Sequence, residues 1–302
     1  MKLFNRFKIL VVIALICMLF SSCKNDSEKA TKVSKFVDSV GTSHTVKKLN
    51  LDGRSREISH NENLTVEHKR IDDISLYEIC PKNGSEKLVL FLHNSAASKE
   101  EFISEMDRYA LDGYCCVAMD IKGFGERKSS NKEMLIQIDV ETVSDIDLLL
   151  DYYSITKNIK HFAIEGFSLG GSIAYQYVAD GKTKIDALAV CSSSPNLSEQ
   201  PDFAIKNGEI CKGDWSEKEI ENYSKEHNPL RKIDRFNDQA VMVGHSIGDP
   251  LIPVRGDQEL EKYLYKQKNN KSVFKYFEND THDVPEEYVR TILPYFNKYV
   301  GH

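Results

Sequence analysis

Several features are scarce in this 302-residue sequence, and each scarcity excludes a class of protein. Basic residues do not exceed acidic ones: 40 Lys and Arg stand against 46 Asp and Glu, for a net charge of −6. Without a basic field, nucleic acid is not an expected partner. No internal repeat stands out, and no Cys/His spacing is typical of a metal site. We therefore expect neither a repeat array nor a bound metal or other cofactor.

The apolar run from Ile9 to Phe20 is too short to span a bilayer comfortably. Basic residues precede it, as in a signal peptide. It ends in Leu19-Phe20-Ser21-Ser22-Cys23, which resembles a bacterial lipobox with Phe20 where Leu is usual. The resemblance implies a signal peptide at residues 1–22 and a lipid anchor on Cys23, in the cell envelope and most simply on the outer membrane, facing the periplasm or the surface. The alternative is an ordinary cleaved signal peptide in which Cys23 is incidental.

Residues 23–62 are polar with weak periodicity, which predicts a tether. Over residues 63–302 short apolar runs alternate with helical patterns. This alternation predicts an α/β domain with a mostly parallel sheet of about eight strands, flanked by helices. An interruption at about 195–236 contains Ser216-Glu217-Lys218-Glu219, a capping-box signature. It predicts a small cap insertion with at least one helix, over the active site.

The cysteines that follow Cys23 are odd in number: Cys80, Cys115, Cys116, Cys191 and Cys211. Cys115, Cys116 and Cys191 fall on predicted core strands, so we expect buried apolar thiols, with one disulfide left open.

The segment Gly166-Phe167-Ser168-Leu169-Gly170-Gly171 lies between an apolar strand pattern and a helical pattern. A sharp Gly-x-Ser-x-Gly turn in that context predicts a nucleophile elbow, in which the serine hydroxyl stands above the sheet at a helix N-terminus. A hydroxyl is a weak nucleophile at neutral pH, so the chain must supply a base.

Four further segments match one family. They are His93-Asn94, Asp120-Ile121-Lys122-Gly123-Phe124-Gly125, Gly248-Asp249-Pro250-Leu251-Ile252-Pro253 and Thr281-His282-Asp283. With the elbow, they make the chain resemble the α/β-hydrolase superfamily over roughly residues 64–300, and within it the serine aminopeptidase-like and dienelactone hydrolase-like branches. The resemblance implies an α/β-hydrolase fold with Ser168 as nucleophile, His282 as base and Asp249 as orienting acid, in the chain order of that fold.

Two other histidines compete for the role of base. His245 precedes the acid, which is the wrong order, and His227 lies in the cap. The alternative to an acid role for Asp249 is that its side chain only forms a turn before Pro250.

The oxyanion donors are expected to be the amide of Leu169 and an amide of the loop after strand 87–93, from Ser95 or Asn94. Here the sequence departs from the family, because the usual His-Gly reads His93-Asn94. Trp215 in the cap, Phe124 and His93 are the candidate substrate-binding residues.

These residues together predict a serine hydrolase that cleaves a small acyl or aryl ester through an acyl-enzyme. A peptidase or acyltransferase with the same three residues, or a non-catalytic envelope binding protein with this fold, are the alternatives. The expected partners are a small ester or peptide substrate and, through the anchor, a membrane.

Overall fold

The architecture is that of a computed structural model, which describes residues 30–37, 43–49, 61–128, 135–199 and 216–301. The strands are β1 (Ala30–Val37), β2 (Ser43–Leu49), β3 (Leu64–Ile71), β4 (Ile74–Pro81), β5 (Lys87–Leu92), β6 (Cys115–Met119), β7 (His161–Phe167), β8 (Ala187–Cys191), β9 (Ala240–Ser246) and β10 (Val273–Phe277). The helices are α1 (Ile103–Leu111), α2 (Leu135–Lys157), α3 (Leu169–Asp180), α4 (Glu217–His227), α5 (Arg255–Lys266), α6 (Glu286–Val289) and α7 (Ile292–Tyr299), with 3-10 helices at Lys99–Phe102, Gly125–Arg127 and Pro229–Phe236.

All ten strands join one sheet in the order β1-β2-β3-β4-β6-β5-β7-β8-β9-β10. The pairs from β1 to β4 and the β4–β6 pair are antiparallel, and the remaining pairs are parallel. The predicted α/β fold with a mostly parallel sheet is confirmed, although the sheet has ten strands rather than about eight. The strand order reverses at β5, and clefts at the carboxyl ends of strands beside such a reversal are where open α/β sheets place ligands.

The apolar runs of the central strands are buried on both faces of the sheet. Every residue of β6 and β8 is buried, as is all of β5 after its first residue. One apolar cluster packs side chains of α2, α3 and α5 against one set of strand residues. The other packs α1 and α7 against the alternate set. Burial on both faces explains why these strands read as continuous apolar runs rather than as alternating patterns. No helix within the described ranges is both long and apolar enough to cross a membrane.

The prediction of a tether over residues 23–62 is wrong for two segments, because β1 and β2 extend the sheet beyond β3. In β2, Val46 and Leu49 are buried while their neighbours are exposed or half-buried. In β1, the ring of Phe36 is 8% exposed and lies 5.1 Å from the ring of Tyr152 in α2. Edge strands with one face in solvent carry many polar residues, so their composition resembles that of a linker.

The four cysteines within the described ranges divide into a disulfide-bonded pair and two free thiols. Cys80 on β4 and Cys115 on β6 form a disulfide between neighbouring strands, so the expectation of a free thiol at Cys115 is wrong. Cys116 and Cys191 are buried free cysteines, as expected.

The predicted cap region contains a helix at the expected place. Ser216 caps α4, and its side chain and the Glu219 backbone and side chain form both bonds of the capping box. The Pro229–Phe236 helix that follows contacts α3. Residues 200–215 lie outside the described ranges, so a cap over the active site stays a prediction.

Replacing Phe36 with Ala is expected to lower the free energy of unfolding by about 3 kcal/mol, because it removes the buried ring that packs β1 against Tyr152 of α2. Urea denaturation with an unchanged m value measures this. Lys35→Ala, at the exposed neighbouring position, is the control and is expected to have little effect. An unaltered denaturation midpoint in F36A would show that β1 does not pack on the domain.

Candidate active site

Ser168 lies between the end of β7 and the start of α3, in a left-handed backbone conformation with φ 53° and ψ −115°. The residues two positions before and two positions after it must be glycines, because backbone packs closely against backbone there. A Cβ on Gly166 would lie 2.4 Å from the carbonyl oxygen of Gly170, and a Cβ on Gly170 would lie 1.9 Å from that of Leu92. A strained, closely packed turn of this kind is what the elbow interpretation requires.

His282 lies in the loop between β10 and α6, and its ring contacts the serine. Its Nε2 is 2.7 Å from Ser168 Oγ, and its Nδ1 is 2.8 Å from Asp249 Oδ2. The carboxylate accepts only, so Nδ1 carries a hydrogen and Nε2 is left to accept the serine hydroxyl. The ring is partly exposed and lies 5.5 Å from that of Phe167. The geometry leaves the serine hydroxyl beside an acceptor nitrogen whose tautomer is set by the acid.

Asp249 follows β9 and is 7% exposed. Its Oδ1 accepts from the amides of Leu251 and Ile252 at 2.8 and 3.0 Å. The turn-forming interpretation of Asp249 is therefore correct and does not exclude the contact with His282. Burial opposes ionisation, but the hydrogen bonds from His245, His282 and the backbone amide of Ile252 hold the pKa of Asp249 well below its ordinary value. This carboxyl group is ionised at neutral pH.

The amides near Ser168 separate the three oxyanion candidates. Leu169 is the first residue of α3, where amides have no partner within the helix. The amide of Asn94 donates to Glu101 Oε2 at 3.2 Å, and its side-chain nitrogen to Oε1 at 2.5 Å. The prediction for Asn94 is therefore contradicted. Among the described residues Ser95 has no hydrogen-bond partner, so its amide stays a candidate together with that of Leu169.

His93 is not placed to bind substrate, so that prediction is wrong. The residue is fully buried, and both ring nitrogens are used inside the protein. Its Nδ1 donates to the carbonyl of Asn94 at 2.7 Å, and its Nε2 accepts from the amide of Ile121 at 3.0 Å. Burial lowers the pKa of His93, in agreement with a neutral ring that ties two loops together.

The remaining predicted site residues are Phe124, Trp215 and Cys23, and the structure describes only the first of them. Phe124 is half-buried and its ring lies edge-on to His93 at 5.9 Å, so a role in substrate binding stays a prediction. Trp215 and Cys23 lie outside the described residues. His227, the rejected base, lies at the end of α4 against the ring of Tyr223.

A cavity of about 250 Å³ lies beside the elbow. Its apolar wall consists of Phe102, Phe167, Val284 and Val289, and carboxyl groups come from Glu101, Glu105, Glu165 and Asp283. A cavity of about 300 Å³ lies between the far end of α3 and the Pro229–Phe236 helix, on residues such as Gly181 and Arg235, remote from Ser168. The smaller cavity is lined by Gly166 and Phe167, which precede Ser168, and by Asp283, which follows His282.

Glu165, on β7, is 4% exposed and accepts a hydrogen bond from the hydroxyl of Tyr109 at 2.6 Å. Burial raises the pKa of Glu165 to about 7, and the hydrogen bond from Tyr109 only partly opposes this. Glu165 is an unusual residue on a buried strand, and its hydrogen-bond partner is Tyr109. It contacts neither Ser168 nor His282.

Metal ligands are not assembled at this site. Among the described residues, one group of His, Cys, Asp and Glu side chains is close enough to hold an ion, Glu78 with Cys80 and Cys115. Its two sulfur atoms are joined in the disulfide, so they are not thiolate ligands.

Asp257 was not predicted from the sequence. It lies on α5, fully buried, with Oδ2 2.6 Å from Nδ1 of His245. His245 itself is not the base but lies behind Asp249, with Nε2 3.2 Å from Asp249 Oδ2. No local motif contains both residues, and only the packing of α5 against β9 brings them together.

Comparison with known proteins points to one fold. A family model described as alpha/beta hydrolase fold matches residues 87–299, more than half of the chain. No curated protein is significantly similar in sequence.

Several solved structures share the architecture. The Pyrococcus furiosus esterase Pf2001 has a TM-score of 0.57 at 18% identity, over 90% of this chain and 93% of that one. Acetyl xylan esterase 1 from Thermoanaerobacterium has 0.62 at 12%, over 84% and 87%. An acylaminoacyl peptidase from Pyrococcus horikoshii has 0.62 at 12%, over 91% of this chain and 50% of its own. Identities this low establish a common fold and do not choose a branch.

Glu165→Gln is expected to make the protein more stable above neutral pH. The folded state holds the Glu165 proton more tightly than the unfolded chain, so wild-type stability falls as pH rises from about 4.5 to about 7. The gain in unfolding free energy should grow from near zero at pH 4 to about 3 kcal/mol at pH 8, since one pKa unit is worth about 1.4 kcal/mol. Urea unfolding at both pH values measures it. Glu105→Gln, on the same cavity, is the control, and equal gains at pH 4 and pH 8 would contradict the assignment.

Proposed function

Because the chain belongs to the α/β-hydrolase fold family, we propose that it is a serine hydrolase that cleaves a carboxylic ester. The single observation that carries the proposal is the ring of His282, which contacts Ser168 Oγ through Nε2 and Asp249 through Nδ1. A serine, a histidine and a carboxylate in that arrangement are sufficient for nucleophilic acyl transfer.

The first half of the reaction forms an acyl-enzyme. Ser168 Oγ attacks the ester carbonyl carbon while its proton passes to Nε2 of His282. The charge that forms on the ring is stabilised by the Asp249 carboxylate, which also fixes the ring orientation. The tetrahedral intermediate collapses when His282 returns that proton to the departing alkoxide, so the alcohol leaves and the acyl group stays on Ser168.

The second half releases the acid. A water molecule gives a proton to His282 and adds to the acyl carbon, and the same proton then returns to Ser168 Oγ as the carboxylic acid departs. In both halves negative charge develops on the carbonyl oxygen. Amides of Leu169 and Ser95 are the donors assigned to that oxygen, and preorganised donors of this kind are worth several kcal/mol each.

An ester substrate is favoured by the apolar wall of the cavity beside the elbow and by the esterases that share the fold. A peptidase is the second candidate, and the carboxyl groups on the same cavity favour it, because they suit the ammonium group of a peptide N-terminus.

Fluorophosphonate labelling tests the nucleophile without knowledge of the substrate. We expect one covalent adduct on Ser168 in the wild type and none in Ser168→Ala. His282→Ala and Asp249→Asn should lower the labelling rate and the turnover of p-nitrophenyl acetate by at least about 1,000-fold. Ser172→Ala, one turn along α3, is the matched control. A folded wild-type protein that forms no adduct would contradict the mechanism and would favour a non-catalytic binding protein. Faster turnover of alanine p-nitroanilide than of p-nitrophenyl acetate would indicate a peptidase.

Replacing Ser95 tests the second oxyanion donor through its backbone. Ser95→Pro removes the amide hydrogen and is expected to lower kcat for p-nitrophenyl acetate by about 100-fold or more. Ser95→Ala keeps the amide and should retain activity close to that of the wild type. Thermal denaturation checks that both variants fold. Wild-type kcat in a folded Ser95→Pro would assign the second donor to another amide.

A further inference from the structure

A second histidine lies directly behind the acid of the active site. His245, on β9, is fully buried. Its Nε2 lies 3.2 Å from Asp249 Oδ2 and 3.2 Å from the carbonyl oxygen of Ile252. Its Nδ1 lies 2.6 Å from Asp257 Oδ2, and Oδ1 of that carboxyl accepts from the Tyr175 hydroxyl at 2.7 Å. A continuous row of hydrogen-bonding groups therefore runs from Tyr175 to Ser168.

The partners of His245 determine where its protons lie. Nε2 faces a carbonyl oxygen and a carboxylate, which only accept, so this nitrogen carries a hydrogen. Nδ1 faces Asp257, whose other oxygen already accepts from Tyr175, and two donors favour the ionised carboxylate. Both ring nitrogens then donate, and the ring is an imidazolium between two carboxylates.

The electrostatics agree with this assignment. Burial opposes the charged ring, but hydrogen bonds to Asp249 and Asp257 and the charges of both raise the pKa of His245 to about 9. Burial raises the pKa of Asp257, while the hydrogen bond and charge of His245 act in the opposite direction. Two negative charges around one positive charge are what keep this ring protonated at neutral pH.

The other titratable groups around the pair are uncharged phenols and a thiol. Burial raises the pKa of each of them, so none titrates near neutral pH. They are Tyr175 from α3, Cys191 from β8, Tyr276 from β10 and Tyr288 from α6. The carboxyl group of Glu261, on α5, lies beside Tyr276.

We propose that His245 is a positioning residue whose fixed positive charge holds Asp249 as an oriented carboxylate and opposes protonation of His282. The proposal rests on the proposed function of Ser168, His282 and Asp249. His282 Nδ1 and His245 Nε2 bond the same oxygen, so they lie no more than about 6 Å apart, a range over which like charges interact strongly. The consequence is a base that stays neutral, and therefore active, at lower pH than it would without His245.

The charge on His245 is measurable in the wild type without any assay of activity. In protein labelled with ¹³C,¹⁵N-histidine, NMR should show both ring nitrogens of His245 protonated at pH 7, with the signal assigned by its through-bond correlations to the His245 backbone. A ring of His245 without a proton on Nδ1 at pH 7 would overturn the proposal, because it would then carry no charge to act on His282.

The effect on His282 is measured by the pH dependence of fluorophosphonate labelling, which requires a neutral base. His245→Gln is suited to this test because its amide nitrogen can donate to Asp249 while its oxygen accepts from protonated Asp257. The variant thus keeps the bonds and removes the charge. We expect the midpoint of the acid limb to rise by about one pH unit, with about tenfold slower labelling below it.

A buried histidine away from the site provides the control. His68, on β3, is 1% exposed and lies 3.2 Å from Glu126, and His68→Gln should leave the midpoint where the wild type has it. A midpoint in His245→Gln that is unchanged or lower would overturn the proposal. Absence of labelling in the wild type would instead defeat the proposed function, and the NMR experiment still decides whether His245 is charged. It also decides the proposal if His245→Gln fails to fold.

Discussion

The arrangement around Ser168 depends on the satisfaction of one buried negative charge, that of Asp249. Four donors converge on its carboxylate: two ring nitrogens, from His282 and His245, on one oxygen, and two amides, from Leu251 and Ile252, on the other. A carboxylate taken out of water is costly unless it is bonded in this way. The turn after β9, the loop before α6 and, through Asp257, helix α5 therefore all have positions set by this group.

A second constraint acts at the elbow, where backbone approaches backbone. Gly166 and Gly170 allow α3 to begin within contact of the ends of β5 and β7, at the strand reversal of the sheet. Ser168 consequently lies near the end of β5, from which the loop that carries Ser95 continues. Glu101 holds that loop through Asn94. The departure from the usual glycine is accommodated because the side chain of Glu101 accepts hydrogen bonds from the backbone and side-chain nitrogens of Asn94.

The parts of the fold that could be predicted are those encoded by local patterns. Buried strands such as β5 and β8 are continuous apolar runs, and the elbow has its glycines, so both were identifiable from short segments. The segments around Asp249 and His282 follow in the order of a known fold, and the structure brings His282 to Ser168 and Asp249 to His282. Strands β1 and β2 were missed, because exposed positions such as Lys35 and Lys48 give them the composition of a linker and the burial of Phe36 depends on contact with α2. His93 was misassigned because a histidine beside a catalytic loop has the same sequence signature whether its ring faces substrate or two backbone groups.

The sequence alone determined the α/β class and the position of the turn at Ser168, because these follow from hydrophobic periodicity and from residues close together in the chain. The order of the serine, acid and histidine came from the resemblance to a known family. The tertiary structure decided that the Asn94 amide is bonded to Glu101, that Cys80 is paired with Cys115, and that His245 lies between Asp249 and Asp257. These outcomes depend on which side chains share a volume once strands and helices from distant parts of the chain have packed, and local spacing carries no record of that packing.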